Sequence, residues 1–300
     1  GAINAFDAPA RQAFVPELIE NKEDLAQAIA INASMFNGSR LIGPAIAGLL
    51  IATVGPSYCF LIDGISYIAV IAGLLAMQLK PRKIAETNTK PLQRLKEGFV
   101  YSFGFPPIRA ILMLLALVSF AGMSHTVLVP IFATKILHGG PETLGFLMAA
   151  SGIGAFAAAI YLTTRKTVVG IGKIIAISPA IMGLGLIGFA LSQVLWLSLI
   201  MLLFVGIGFI LQFAAGNTFL QTIVEDEKRG RVMSIYTMAF FGITPFGNLL
   251  AGGLANYIGA PNTVIIGGVI CILGSAVFTK QLPALEHLIR PIYQKMGLIS

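Results

Sequence analysis

Long apolar runs separated by short polar turns dominate the chain. They lie at 26–52, 57–79, 110–133, 143–164, 174–191, 194–219, 232–257 and 262–279. Each run is about twenty residues long and lacks strict alternation, which is typical of a helix that crosses a hydrocarbon core of about 30 Å and not of a barrel strand. The pattern predicts an all-α membrane protein, a helical bundle with eight complete transmembrane helices.

A glycine-rich segment occurs twice, at an offset of 204 positions. The paired glycines are Gly38 and Gly242, Gly43 and Gly247, Gly48 and Gly252, and Gly55 and Gly259. Small residues at such spacing let two helix backbones approach closely in lipid, and a common offset indicates internal duplication. The alternative, that glycine is merely frequent in membrane spans, explains the composition but not the shared offset.

The same offset predicts the organisation of the chain. Subtracting it from the span 194–219 makes the opening residues the second half of a span. The hypothesis is a six-plus-six architecture in which three spans and part of a fourth precede Gly1. The predicted divisions are the remainder of the first half at 1–79, a linker at 80–107, a six-helix half at 108–281 and a tail at 282–300.

The sequence predicts how two of these elements pack. In the linker, apolar residues recur at helical spacing and predict an amphipathic helix that lies on the membrane surface, either as a strap coupling the halves or as a solvated linker held by anionic lipid. They are Leu92, Leu95, Phe99 and Phe103. In the span 143–164, a stripe of small residues is expected to contact Gly43, Ala47 and Gly48. The stripe consists of Ala150, Gly154 and Ala158.

Composition and charge agree with a membrane protein and set its orientation. Charged residues make up 11% and hydrophobic residues 56% of the chain, and the mean hydropathy is +0.86, which excludes an ordinary soluble domain. One set of alternate loops holds eighteen lysines and arginines and the other only Lys135, so the first set and the C-terminus are expected to be cytoplasmic. This asymmetry explains the net charge of +7 without a nucleic-acid partner.

Charges inside the predicted spans are costly and therefore informative. They are Asp7, Arg40 and Asp63. Asp7 and Arg40 fall at matching depth on consecutive helices and predict an ion pair, which is either static or broken and remade during transport. Asp63 lies nearer the outer surface, and all three are candidates for a transport or proton pathway.

Uncharged polar residues inside spans add further candidates for that pathway. His125 has an ordinary pKa suited to proton handling, although a single histidine is also commonly hydrogen bonded to a neighbouring helix. Gln212 and Asn217 either face a central cavity or hold helices together.

A charged cluster is predicted to form a cytoplasmic gate. Its members are Arg11, Glu225, Asp226, Arg229 and Arg231. The acidic residues begin a helix and complement its positive end, so the alternative interpretation is a plain solvated helix start.

Catalytic and metal-binding patterns are absent from the sequence. It contains no phosphate-binding loop of an ATP-driven pump, no nucleophile and base grouping and no cluster of metal ligands. The two cysteines, Cys59 and Cys271, lie in apolar runs as small hydrophobes. We therefore expect neither an enzyme nor a cofactor.

Several motifs resemble the major facilitator superfamily. The segment with Ser39, Gly43, Pro44, Ala47 and Gly48 is similar to the antiporter signature of the fifth helix, with Ser39 and Ala47 in place of two glycines. NAFDAPARQAFVPELI at 4–19, PLQRLKEGFVY at 91–101 and QTIVEDEKRGRVMSIY at 221–236 resemble the enterobactin-exporter and macrolide-efflux branch. TTRKTVVGIGK at 163–173 is similar to the superfamily's loop after the eighth helix but lacks an acidic partner.

The resemblance implies a monomeric secondary transporter of the bacterial cytoplasmic membrane. Its expected activity is proton-coupled export of a small amphipathic molecule or siderophore by alternating access, within membrane lipids. Two alternatives stay open: a lipid or lysophospholipid flippase, and a non-transporting membrane receptor or assembly partner.

Overall fold

The computed structural model describes residues 56–76, 91–165 and 167–295, and these residues form helices and short connections without a strand. Several sequence-predicted residues lie outside the described residues. They are Asp7, Arg11, Arg40, Ser39, Gly43, Pro44, Ala47 and Gly48. The Asp7–Arg40 pair and the first copy of the glycine segment therefore stay predictions.

The chain divides into two compact units, residues 1–89 and 90–300. In the first unit, helix α1 (Pro56–Ala76) is apolar throughout except for Asp63 and a few small polar residues. The backbone oxygen of Asp63 accepts a hydrogen bond of 2.7 Å from the Ser66 hydroxyl, one turn along the helix.

The second unit is a bundle of helices, most of them apolar. In chain order these are α2 (Pro91–Gly104), α3 (Pro106–Leu117), α4 (Pro141–Thr164), α5 (Ile171–Leu191), α6 (Leu195–Ile223), α7 (Asp226–Phe241), α8 (Thr244–Ile258) and α9 (Ala260–Lys295). Between α3 and α4, the backbone continues through irregular helical turns to Ile136. Within the described residues, six stretches are long and apolar enough to cross a membrane, which confirms the predicted all-α membrane bundle. The total of eight complete crossings stays a prediction.

Proline sets the start of several of these helices. A proline occupies the first or second position of α3, α4 and α8, where the missing N–H has no partner within the helix in any case. The predicted single span 232–257 is divided in the structure between α7 and α8. Gly242 and Ile243 join the two helices with helical backbone angles, so the division before Pro245 is local and the path stays nearly continuous.

Helix α9 is longer than a membrane crossing requires. Its 36 residues extend about 54 Å, whereas a hydrocarbon core of about 30 Å takes roughly twenty of them. The helix continues without a break through the predicted boundary between 281 and 282. Its last turns therefore project beyond the hydrocarbon at one end of the bundle, which we call the basic end because Lys280, Arg290 and Lys295 lie there.

Glycines allow α4 and α6 to pack backbone against backbone. A Cβ atom on Gly154 would lie 2.0 Å from the Leu203 carbonyl oxygen, and one on Gly206 would lie 1.9 Å from the Ser151 carbonyl oxygen. Both positions exclude any larger residue. The predicted stripe of Ala150, Gly154 and Ala158 is thus buried, with α6 against Gly154.

The predicted partner of this stripe lies outside the described residues. The contact of Gly43, Ala47 and Gly48 with α4 stays a prediction, and within the described residues α6 packs against the centre of the stripe at Gly154. The spacing of small residues identifies a close-packing face and carries no information on which helix fills it.

The second copy of the glycine segment has mixed surroundings. A Cβ atom on Gly247 would lie 2.1 Å from the Phe120 carbonyl oxygen, so Gly247 is a close-approach position. Gly252 has open space beside it, and Gly259 ends α8 with a φ of +84°. A Cβ atom on Gly242 would lie 2.6 Å from the Met238 carbonyl oxygen, in the preceding turn of the same helix.

We predict that Gly247→Ala destabilises the chain by about 1–3 kcal/mol, because the new methyl group overlaps backbone that cannot move aside. Gly253→Ala, on the same helix and in open space, is the matched control. The control should be neutral or should stabilise by up to about 1 kcal/mol through helix propensity. Unfolding of the purified chain in detergent measures both, and equal stability of the two variants would contradict the contact.

Candidate functional site

The backbone between α3 and α4 is irregular in the middle of an apolar stretch. Val118–Gly122 and Phe132–Ile136 are π-helical, and Met123–Val127 is a 3₁₀ helix. We call residues 118–136 the distorted segment. Such irregularities inside transmembrane helices are frequent at functional sites, and they persist where side chains satisfy the freed backbone groups.

Side chains of the distorted segment supply those bonds locally. The Ser124 hydroxyl donates to the Ala121 carbonyl oxygen at 2.6 Å, and the Thr126 hydroxyl donates to the Met123 carbonyl oxygen at 2.9 Å. Nδ1 of His125 lies 2.6 Å from the Gly122 carbonyl oxygen. His125 is buried and bonds its own turn rather than a neighbouring helix, and its place in a proton pathway stays a prediction.

Gln212 on α6 is the most unusual polar residue of the bundle. Its side chain is 1% exposed, and neither amide atom has a hydrogen-bond partner among the described residues. A buried polar group without a partner costs about 1–3 kcal/mol, so apolar packing alone does not favour glutamine here. The side chain can donate two hydrogen bonds and accept two.

The neighbours of Gln212 on the same helical stripe locate it within the bundle. Gly208, one turn before it, packs against α5, where a Cβ atom would lie 2.7 Å from the Ser178 carbonyl oxygen. Gly216, one turn after it, faces α7 and α3, with the Tyr236 hydroxyl 3.1 Å and Ile111 3.5 Å from such a Cβ atom. Gln212 therefore lies where α6 meets three other helices.

Ser119 is a second buried group of the same kind. It is fully buried in the distorted segment, and its hydroxyl has no partner among the described residues. Ser119 and Gln212 both lie within a turn of the midpoint of their apolar stretches, Pro106–Ile136 and Leu195–Ile223. Ser119 does not stand out in the sequence, since serine in an apolar run usually bonds a carbonyl of its own helix.

Asn217 lies on a different face from Gln212. Five residues turn an α-helix by about 140°, so the two predicted residues do not face the same cavity. Asn217 is half-buried, and its side-chain oxygen accepts a bond of 2.5 Å from the Gln221 amide. Asn217 therefore has a partner on its own helix.

A buried tyrosine joins α7 to α6 beside this region. The Tyr236 hydroxyl donates to the Phe213 carbonyl oxygen at 2.5 Å, and its ring packs against the ring of Phe213, which also contacts Phe240. Tyr236 ends the motif QTIVEDEKRGRVMSIY. Its position in the motif does not reveal this contact, because Ser234 and Thr237 carry hydroxyls in the same turn of α7.

At the basic end, the predicted gate cluster connects α7 to the linker helix α2. The Arg231 guanidinium donates to the Glu97 carboxylate at 2.8 Å, across 134 positions of sequence. Lys228 pairs with Glu225 at 2.8 Å and lies 4.6 Å from the centre of the Tyr101 ring. A gating role for this cluster, including Arg229 and Asp226, the first residue of α7, stays a prediction.

The Tyr101 ring is the centre of this connection. Burial raises the pKa of Tyr101, the Glu225 carboxylate raises it further, and the Lys228 ammonium opposes both. The phenol is therefore neutral at physiological pH and serves as a surface for the lysine.

The arrangement favours binding and movement over covalent chemistry. Among the residues that the structure describes, no three His, Cys, Asp or Glu side chains are grouped to hold a metal ion. The buried polar groups near mid-depth, Gln212 and Ser119, offer hydrogen bonds without a nucleophile and base pair.

Known proteins similar to this chain are membrane transporters by their descriptions. A family model described as "Transmembrane secretion effector" matches residues 1–292. The staphyloferrin A transporter of Staphylococcus aureus is 29% identical over 283 residues, which cover 93% of this chain and 69% of that protein. The multidrug efflux pump Tap of Mycobacterium tuberculosis is 27% identical over 262 residues, which cover 85% of this chain and 61% of that pump.

A solved structure supports the fold. It is a bacterial homologue of the human lysosomal transporter Spinster, in an inward-facing and unoccupied conformation. The TM-score is 0.50 at 18% identity, and the match covers 91% of this chain and 72% of the other. At that identity the likeness concerns the fold alone.

We predict that Glu97 and Arg231 are coupled by about 0.2–1 kcal/mol, the range of partly exposed ion pairs. Glu97→Gln and Arg231→Gln should each lower the free energy of unfolding. The double variant should lose less free energy of unfolding than the two single variants together. The charge swap Glu97→Arg with Arg231→Glu should restore most of the loss. Unfolding in detergent at low and high salt measures the cycle, with Lys280→Gln as a control cation, and strictly additive losses would contradict the pair.

Proposed function

Since the chain belongs to the transmembrane secretion effector family of the major facilitator superfamily, we propose that it exports a small amphipathic compound or siderophore across the bacterial cytoplasmic membrane. The resemblance seen in the sequence motifs is confirmed at the level of the family, whose fold is that of transporters and not of enzymes. The six apolar stretches agree with a multi-pass membrane protein.

The two named relatives support the substrate class. One is a transporter of staphyloferrin A and the other a multidrug efflux pump. Both names concern small molecules that leave or cross the cell membrane. A small polar molecule with apolar surface is therefore the proposed substrate, and the protein acts as a monomer surrounded by lipid.

The observation that carries the proposal is the unsatisfied amide of Gln212. A polar residue inside a membrane bundle is expensive, and such residues usually belong to a substrate or ion path. Gln212 and Ser119 lie near mid-depth, where transporters of this kind hold their substrates. We propose that both side chains bind polar groups of the substrate when the helices around α6 separate.

The distorted segment supplies a place where that separation can occur. Its π-helical and 3₁₀ turns depart from regular α-helical geometry in the middle of the apolar stretch, and such a change of helix type often marks a hinge. Alternating access needs such a movable element beside the substrate site.

The proposed energy source is an inward proton movement. The candidate carriers are Asp7, Arg40, Asp63 and His125, of which His125 lies in the distorted segment near the proposed site. Proton exchange at His125 would alter the bond to the Gly122 carbonyl oxygen and thereby the local turn. This step links the proton to the movable backbone.

Export and its coupling are tested together in everted membrane vesicles that contain the full-length transporter. With the vesicle interior acidified, a radiolabelled carboxylate siderophore or a cationic dye should accumulate inside. A protonophore should abolish the accumulation, and vesicles without the protein should show none. Accumulation that resists the protonophore would overturn proton coupling. If neither the siderophore nor the dye accumulates, export itself is overturned.

We predict that Gln212→Leu leaves the chain at least as stable, because an apolar side chain of similar size replaces an unpartnered amide. Transport in the vesicle assay should fall by about 10-fold to 100-fold, the equivalent of roughly 1–3 kcal/mol of lost substrate bonding. Asn217→Leu, on the same helix but outside the proposed site, should transport normally. Normal transport by Gln212→Leu would remove Gln212 from the site.

A further inference from the structure

A cavity lies at the basic end of the bundle, away from Gln212. It has a volume of about 450 Å³ and is enclosed by α3, α5, α6 and α9 and by the connection before α5. Its inner wall is apolar and buried, made of Ile111, Ile175, Phe219, Phe278 and Leu285. Its outer part is lined by polar side chains: Lys173, Glu286, His287, Arg290 and Tyr293.

The cavity spans the boundary between hydrocarbon and headgroups. Phe278 and Tyr293 are fifteen residues apart on α9, which corresponds to about 22 Å along the helix. The first twenty residues of α9 suffice to cross the hydrocarbon core, so Phe278 lies within it and Arg290 beyond it. One part of the cavity is therefore at acyl-chain depth and the other at headgroup depth.

The cations of the cavity are free to bind an external anion. Lys173 and Arg290 are exposed, and neither forms an ion pair with a described residue. Glu286 is the one carboxylate of the lining, and its Oε1 lies 3.8 Å from the position of a Cβ atom on Gly172. Lys173 and Arg290 carry two positive charges against the one negative charge of Glu286.

The connection before α5 is built to hold Lys173 at this edge. Gly170 has a φ of +79°, which turns the chain into α5. An Arg165 terminal nitrogen donates to the Val169 carbonyl oxygen at 3.0 Å, and Arg165 Nε is buried without a partner. The C-terminal part of the motif TTRKTVVGIGK thus forms one wall of the cavity.

We propose that this cavity binds the phosphate of an anionic phospholipid, with the acyl chain against the apolar wall. A phosphodiester carries one negative charge and fits between an arginine and a lysine, and basic pockets between transmembrane helices suit such headgroups. A glycerol headgroup also has hydroxyls that can donate to Glu286. The occupant that matches both features is phosphatidylglycerol.

The test is lipid binding to the purified, delipidated chain in detergent. Dioleoylphosphatidylglycerol is titrated and the bound fraction is measured by native mass spectrometry, with dioleoylphosphatidylcholine as the zwitterionic reference. Phosphatidylglycerol should bind more tightly than phosphatidylcholine. The double variant Lys173→Gln, Arg290→Gln should weaken phosphatidylglycerol binding by about 25-fold, while phosphatidylcholine binding stays unchanged.

Lys280→Gln is the matched control, because Lys280 is an exposed cation of α9 that does not line the cavity. It should bind phosphatidylglycerol like the unmodified chain. Equal weakening by Lys280→Gln and by the double variant would reduce the effect to general surface charge and overturn the site. Full binding by the double variant, or no preference over phosphatidylcholine, would also overturn it.

The source of the phosphate is tested by competition. Inorganic phosphate is added at about 10 mM, far above the lipid concentration in the titration. The phosphatidylglycerol adduct should stay in place, because inorganic phosphate has no acyl chain to pack against the apolar wall. Displacement of the lipid by inorganic phosphate would overturn the lipid assignment in favour of a soluble phosphate ligand. The result is independent of transport, so this proposal can fail while the proposed function stands.

Discussion

Close backbone approach between helices is the constraint on which the bundle depends. Lipid is as apolar as the helix surfaces, so helices gain little by burying apolar side chains against one another and associate through contact. The backbone of α4 packs directly against Gly206 on α6, and the backbone of α5 packs directly against Gly208 on the same helix. Helix α6 is thereby held from two sides by contacts that tolerate no Cβ atom, and the polar side chain of Gln212 sits one turn further along this fixed helix.

The helices follow from the sequence because their causes are local. Apolar runs of membrane length predict α4, α5 and α6 to within a few residues at each end, and the run 110–133 covers α3 together with the distorted segment. The small-residue stripe on α4 was likewise visible, but its partner α6 was not, because spacing on one helix does not name the other. The predicted Asp7–Arg40 pair lies outside the described residues and stays a prediction.

The candidate site was only half accessible to sequence reasoning. Gln212 stands out as an amide in an apolar run, whereas Ser119 resembles the serines that bond their own helix, as Ser124 does. The distorted segment depends on tertiary contacts such as that between Gly247 and Phe120, so no periodicity predicts it. The Arg231–Glu97 pair joins residues 134 positions apart, and charge patterning predicted the cluster but not that partner.

The unbroken length of α9 has a consequence for the membranes in which the protein can reside. If a helix ended at the hydrocarbon boundary, a thicker bilayer would place the polar backbone of its end within the hydrocarbon. Helix α9 continues for four further turns, and Lys280 follows the apolar stretch with a long flexible stem. A change of a few Å in bilayer thickness is then absorbed by reorienting that side chain at a modest cost, and the hydrophobic mismatch that sorts many membrane proteins is weak at this helix.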